Sequence, residues 1–155
     1  MADKQTPETI YFYGQNNAHG YMSNFSAHAV TIDGKIWPTT EHYFQAQKFP
    51  SAEYQEKIQA ASTPSMAKKL GQSRSVVMRS DWEQVKEDVM TKALLAKFTQ
   101  HPALGQALLS TGDARLVENA PSDYYWGIGR GGSGKNRLGH CLETVRDTIK
   151  QATCD

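Results

Sequence analysis

The sequence predicts a mainly helical α+β domain with a small antiparallel sheet. Strand-like segments come first, helical segments fill the middle, and strand signals return only before a last helix. That order favours α+β over a doubly wound sheet. Val30-Thr31-Ile32 and Lys35-Ile36-Trp37 flank Asp33-Gly34, the strongest short hairpin signal, because a type I′ turn needs positive φ twice. Trp82, Val85, Val89, Ala93 and Ala96, widened by Met90, Leu94 and Phe98, recur at the spacing of one helical face.

Residues 1–9 are polar and read as a frayed terminus. A strand is expected over Ile10 to Tyr13, stopped by Gly14, and a loop over Gln15 to His19. The hairpin then leads into a helix that starts near Pro38 and the two threonines and stops before Pro50. A helix is expected over Ala52 to Ala60, and another over Met66 to Leu70, with Pro64 at its start and Gly71 at its end. Ser80 and Glu83 form a capping box for the long helix. Pro102 opens a further helix, with Gly112 as its stop. Arg115 to Asn119 and Tyr124 to Trp126 read as strands, and a glycine-rich loop runs from Gly127 to Gly134. The last helix is expected from Asn136 to Lys150, with Leu138, Leu142, Val145 and Ile149 facing the core. No repeat or linker interrupts the chain, so residues 10–152 form one expected domain.

A chain of 155 residues buries a core without staples. Its 17 basic and 16 acidic residues leave a net charge of +1, which gives no global field for nucleic acid or membrane. Cys141 and Cys154 offer neither a disulfide framework nor metal spacing. No N-terminal apolar run reads as a signal peptide, and no segment reads as a membrane span. The expected location is the cytoplasm. Nothing indicates an oligomeric state.

The helix after Trp37 is the first candidate for function. Glu41, Gln45 and Lys48 fall at i, i+4 and i+7 and share one face. Phe44 borders that stripe on one side, and His42 and Phe49 on the other. A polar stripe with aromatic flanks suits the floor of a ligand pocket. It suits an exposed surface helix equally well. Glu41 in the first turn gains from the helix dipole as an anion, which fits a base or a cation stabiliser, or a simple helix-end charge. Glu118 and Asp123 flank the turn over 119–122 and serve either as turn formers or as members of a site.

The glycine loop contains two tempting strings. Gly127-Ile128-Gly129-Arg130-Gly131-Gly132 fits a dinucleotide fingerprint, but too little chain follows for its second strand and acid. Gly129 through Gly134-Lys135-Asn136 fits a P-loop except that Asn136 replaces the Mg²⁺-holding hydroxyl. A phosphate cradle without either fold remains physically reasonable, since glycines bare backbone N–H groups at a helix start. Gly127, Gly129, Lys135, Asn136 and Arg137 would form it. The other reading is a flexible surface loop. The five histidines show no metal spacing.

Several blocks together resemble the NADAR, or YbiA-like, family over roughly residues 10–150. They are Phe12-Tyr13-Gly14, Tyr21-Met22-Ser23-Asn24-Phe25, Asp33-Gly34-Lys35, Trp37 through Phe49, Leu116-Val117-Glu118, Tyr125-Trp126-Gly127 and Gly134 through Gly139. The Glu41-His42-Tyr43-Phe44-Gln45-Ala46-Gln47-Lys48-Phe49 block is the most specific. The resemblance implies an N-glycosidase that breaks a ribose C1–nitrogen bond, without metal or other cofactor. The implied substrates are riboflavin-pathway ribosylaminopyrimidine phosphates, or ADP-ribosyl-guanine in DNA or RNA. A module that binds ADP-ribose and breaks nothing is the competing reading. The expected catalytic residues are Glu41, Asp123 and Lys48. Asn24 would hold ribose hydroxyls, Tyr43 and Trp126 would sandwich the base, and Gln45 and Glu118 would contact substrate. Some YbiA-like proteins read Trp-Gly-Asp-Gly where this chain has Trp126-Gly127-Ile128-Gly129, so that aspartate's role does not carry over.

Overall fold

A computed structural model describes residues 8–14 and 18–154. The expected frayed stretch thus lies mostly outside the described residues, as do 15–17 of the first loop. Strand β1 spans Thr9–Phe12, beginning inside the stretch expected to fray. A single 3₁₀ turn, Gly20–Met22, leads to β2 (Val30–Ile32) and β3 (Lys35–Trp37). Asp33 and Gly34 have φ of 53° and 80°, the pair of left-handed residues that a type I′ hairpin requires.

Helix α1 covers only Thr40–Ala46, shorter than the three turns expected. Thr39 caps it by accepting the His42 N–H. At the other end the Lys48 and Phe49 N–H groups bond three residues back, to the Gln45 and Ala46 carbonyls, which tightens the chain out of the helix. Helices α2 (Ala52–Gln59) and α3 (Pro64–Gly71) follow as expected, capped by Ser51 and Thr63. Helix α4 spans Trp82–Gln100 and α5 spans Pro102–Leu109. The expected capping box does not form. Asp81 is the N-cap residue and makes no side-chain cap bond. Its carboxylate is held by Arg79, while Glu83 is held by Lys86 at 2.6 Å.

Strand β4 (Arg115–Glu118) pairs with β1 in parallel, with Phe12 beside Glu118. The α+β class therefore holds, but only the β2–β3 hairpin is antiparallel. The segment Tyr124 to Trp126 is a turn rather than a strand. Asp123 Oδ1 accepts the N–H groups of Tyr125 and Trp126, a side-chain bond that competes with strand pairing. Helix α6 covers Arg137–Cys154.

Two apolar clusters form the core. One joins Phe12, Phe44, Trp82, Leu94, Leu116 and the Leu138-Leu142-Val145-Ile149 face of α6. The other packs the hairpin against α1, α2 and α3 through Val30, Trp37, Tyr43, Phe49 and Ile58. Helix α4 feeds both, with Leu94 in the first and Ala93 in the second.

Asn136 joins β4 to α6. Its side chain is buried, donates to the Leu116 carbonyl at 2.9 Å and accepts the Glu118 N–H at 2.9 Å. Its φ of 52° keeps it out of the helix. Asn136→Ala removes both bonds and leaves a left-handed alanine. The fold should lose about 2–4 kcal/mol, read from the urea midpoint at constant m-value. Asn136→Gly should lose less, since glycine accepts that φ. A wild-type midpoint for Asn136→Ala would mean that the bridge does not hold the junction together.

Candidate active site

The candidate cavity begins with the burial of α1. Every residue of that helix is buried, including Glu41 at 7% exposure and Gln45 at 5%. The polar stripe is therefore not a surface face. Gln45 Nε2 donates to Glu41 Oε2 at 2.6 Å. Helix α3 can lie directly on Gln45 because Gly71 has no side chain there; a Cβ would sit 2.0 Å from Gln45 Oε1. The loop before the hairpin ties in the other end of α1. The Asn24 carbonyl accepts the Glu41 N–H at 3.2 Å, and Thr40 donates to Asn24 Oδ1 at 2.8 Å.

These elements enclose a cavity of about 500 Å³. Glu41, Gln45 and Lys48 line it, as do Asn24, Glu118, Asp123 and Trp126. The sequence had singled out all seven. Trp126 meets Phe44 edge to face, ring centroids 5.4 Å apart, and both close one apolar wall.

Burial governs the charges. It pushes the Glu41 carboxyl above the usual carboxylate range, against the hydrogen bond from Gln45 and the fields of Lys68 and Lys48. The dipole of so short a helix does not outweigh that burial. Glu118 is raised to about 8, first by burial and then by the nearby charge of Asp123. Its Oε2 is buried without a hydrogen-bond partner. At neutral pH this side chain carries its proton. Burial lowers the Lys48 amine, which Glu41 partly offsets. Asp123 Oδ1 is engaged by two backbone N–H groups at 3.0 and 2.8 Å.

Six expected contacts lie elsewhere. Tyr43 is buried in the second core cluster, edge-on to Trp37 at 5.6 Å, and does not line the cavity. The cradle of Gly127, Gly129, Lys135, Asn136 and Arg137 is not assembled either. The loop's amides are already satisfied: those of Lys135, Asn136, Arg137 and Leu138 bond to the carbonyls of Tyr124, Gly127, Tyr125 and Trp126. Arg137 is paired with Glu87 at 2.7 Å. Lys135 lies over the Tyr125 ring, 5.7 Å from its centroid. Gly127 packs where a Cβ would press on the Glu118 and Asp123 carbonyls at 3.0 Å. Gly129 has φ of 71° and abuts the Tyr124 ring, so no side chain fits.

Sequence reasoning missed Tyr13, Phe25, Lys68 and Gln72, which also line the cavity. Lys68 and Gln72 lie four apart at the end of α3, a helical spacing that was there to be read. Nothing in the sequence says that this end of α3 meets α1.

A cavity lined by three carboxylates, two lysines and an aromatic wall is what a small α+β enzyme would present. The chain belongs to the NADAR family: its sequence matches the NADAR domain over residues 11–150. It is 50% identical over 140 residues to N-glycosidase YbiA of Escherichia coli, covering 90% of this chain and 88% of that one. It is 44% identical over 145 residues to an N-glycosidase of Nostoc punctiforme, covering 92% and 93%. A riboflavin biosynthesis protein of Vibrio vulnificus is 38% identical over 144 residues, covering 93% of this chain and 39% of that protein. The NMR structure of Escherichia coli YbiA superposes with a TM-score of 0.90 at 47% identity, covering 97% of this chain and 90% of that one. No helix among the described residues is long and apolar enough to cross a membrane.

The Glu118 proton makes stability depend on pH. Below the unfolded carboxyl's pKa of about 4.3, both states carry the proton and its stabilisation is fully present. As pH rises towards and through about 8, the unfolded chain sheds the proton while the folded chain must lose it inside the cavity. Stability therefore falls over that window. Buried Lys97, lowered to about 7, acts in the opposite sense over a more alkaline range. It is common to wild type and Glu118→Gln, so their difference isolates Glu118. Paired thermal melts at about pH 6 and about pH 9 should show a smaller alkaline drop in the variant. Equal drops would mean that Glu118 is already ionised in the native state at neutral pH.

Proposed function

We propose that this cavity hydrolyses the ribose C1–N bond of a ribosylated amine or base carrying phosphate. The observation that carries this reading is the convergence of Glu41, Glu118 and Asp123 on one cavity with Lys48. The N-glycosidase relatives make the chain a hydrolase of N-glycosidic bonds. Hydrolysis of such a bond passes through an oxocarbenium-like state, so the site must stabilise positive charge at C1, activate water and protonate the departing nitrogen.

The carboxylates divide this work by environment. Glu41, raised by burial yet hydrogen-bonded by Gln45, stabilises C1 and takes the proton of the attacking water. Glu118 keeps a proton to neutral pH and donates it to the leaving nitrogen. The sequence reading named Asp123 as the second catalytic carboxylate and Glu118 as a substrate contact. Asp123 instead spends one oxygen on its own turn and supplies negative charge with the other. Lys48, its amine lowered by burial but supported by the Glu41 charge, brings a cation to the substrate. Asn24 faces the ribose hydroxyls, and Trp126 stacks the base. The relative named for riboflavin biosynthesis supports a ribosylaminopyrimidine phosphate as substrate. ADP-ribosyl-guanine, free or in nucleic acid, is the second candidate to assay.

Glu41→Gln keeps shape and removes charge. Turnover on ribosylaminopyrimidine phosphates should fall by at least about 10²-fold, with the melting curve preserved. Near-normal turnover would take Glu41 out of the mechanism. Wild-type kcat/KM should also decline as pH rises through about 8, where Glu118 of the free protein loses its proton. A profile that stays flat there removes Glu118 as the proton donor.

A further inference from the structure

We propose that Lys68, assisted by Lys48 and Gln72, is the subsite for a phosphate group of the substrate, on the α3 side of the cavity. This rests on the N-glycosidase reading above and names the part of the site that reading leaves open. Among the described residues, Lys48 and Lys68 are the two cations that line the cavity. They lie near enough for Lys68 to weigh against the protonation of Lys48, so two like charges press on each other across the α1–α3 seam. An anion between them relieves that repulsion.

Among the described residues, no carboxylate lies within ion-pair distance of Lys68. Arg79, Lys86, Lys92 and Arg137 do, and each is matched with its own acid. Lys68 acts instead at longer range, on both Glu41 and Glu118. It is exposed at the mouth, where an incoming phosphate arrives still hydrated. Gln72, four residues on, lines the same edge and offers a side-chain amide. The Lys48 ammonium spends one donor on the Gly71 carbonyl at 3.3 Å, leaving others for the ligand. Tyr13, Phe25 and Trp126 bring aromatic lining from the loops, and Phe44 adds to it from α1. The cavity thus offers cations from α3 and the end of α1, and most of its stacking surfaces from the loops. That division suits a molecule with phosphate at one end and a planar base at the other.

A plainer role for Lys68 is to complement the dipole at the end of α3. Lys69 shares that last turn but does not line the cavity, so it serves as the control. Ribose 5-phosphate, ADP-ribose and ribose are titrated calorimetrically against wild type, Lys68→Ala, Lys68→Arg and Lys69→Ala. Lys68→Ala should weaken the phosphorylated ligands roughly ten- to hundredfold, as the loss of one charge-assisted contact predicts. Ribose should be unaffected, Lys68→Arg should recover most of the loss, and Lys69→Ala should bind as wild type does. The stronger loss among the two phosphorylated ligands tells a terminal phosphate from a diphosphate. In turnover, Lys68→Ala should raise KM far more than it lowers kcat. Unchanged phosphate binding in Lys68→Ala, or an equal loss in Lys69→Ala, overturns the proposal. Lys68-dependent phosphate binding without hydrolysis of any N-glycoside would uphold the subsite and sink the enzymatic assignment alone.

Discussion

Keeping ionisable groups in a dry place is the constraint on which the rest of this structure depends. An unpaired charge taken from water into a protein costs several kcal/mol, and here Glu41, Glu118 and part of Lys48 are drawn inside together. The fold meets that cost locally. Gln45 donates to Glu41, Asn24 accepts the Glu41 N–H and the Thr40 hydroxyl, and burial raises the Glu118 carboxyl to about 8. The same economy requires α3 to close against α1, which is possible only because Gly71 leaves room for Gln45. Substituting that glycine would push apart the two helices whose contact forms one cavity wall.

The glycine loop gains a different meaning in this light. The N–H groups of Ile128, Gly129, Gly132, Gly134 and residues 135–138 bond within the segment from Glu118 to Leu138, so it works as a frame rather than a grip. It holds Asp123 in its turn, aims Trp126 at Phe44, and packs against the carbonyl of Glu118. Ile128, which stands where some family members have aspartate, gives its N–H to the Glu118 carbonyl. The backbone at that position is therefore part of the frame that fixes the buried acid. A network outside the cavity reinforces it. Glu87 joins Arg137 and the Tyr125 hydroxyl, and the Lys86 ammonium lies 3.9 Å from the Tyr125 ring centroid.

Burial raises both carboxyl groups above the usual carboxylate range, but their surroundings differ. Glu118 is half-buried and has no donor on Oε2 among the described residues. Glu41 is the more buried of the two, and its amide donor and two lysine fields work against that burial. Unequal surroundings of this kind are how two carboxyl groups come to divide acid and base roles.

The sequence by itself determined the local elements. Asp33-Gly34 dictated its hairpin, Thr39 and Thr63 their helix starts, and the α6 stripe its buried face. Their signals lie within a few residues of one another, where turn chemistry and periodicity act. It also marked seven of the residues that meet in the cavity: Glu41, Gln45 and Lys48 by a polar stripe visible in one dimension, Glu118 and Asp123 by their turn, and Asn24 and Trp126 by the family resemblance. Only the tertiary structure decided which of the expected residues meet. Tyr43 went to the core because the hairpin packs its Trp37 against it. The phosphate cradle closed on itself because carbonyls far enough away to escape a motif folded back onto the α6 amides. Lys68 and Gln72 joined the site because Gly71 lets α3 touch α1. Glu118 became an acid through burial, a property that belongs to the packed cavity and is written in no single stretch of sequence.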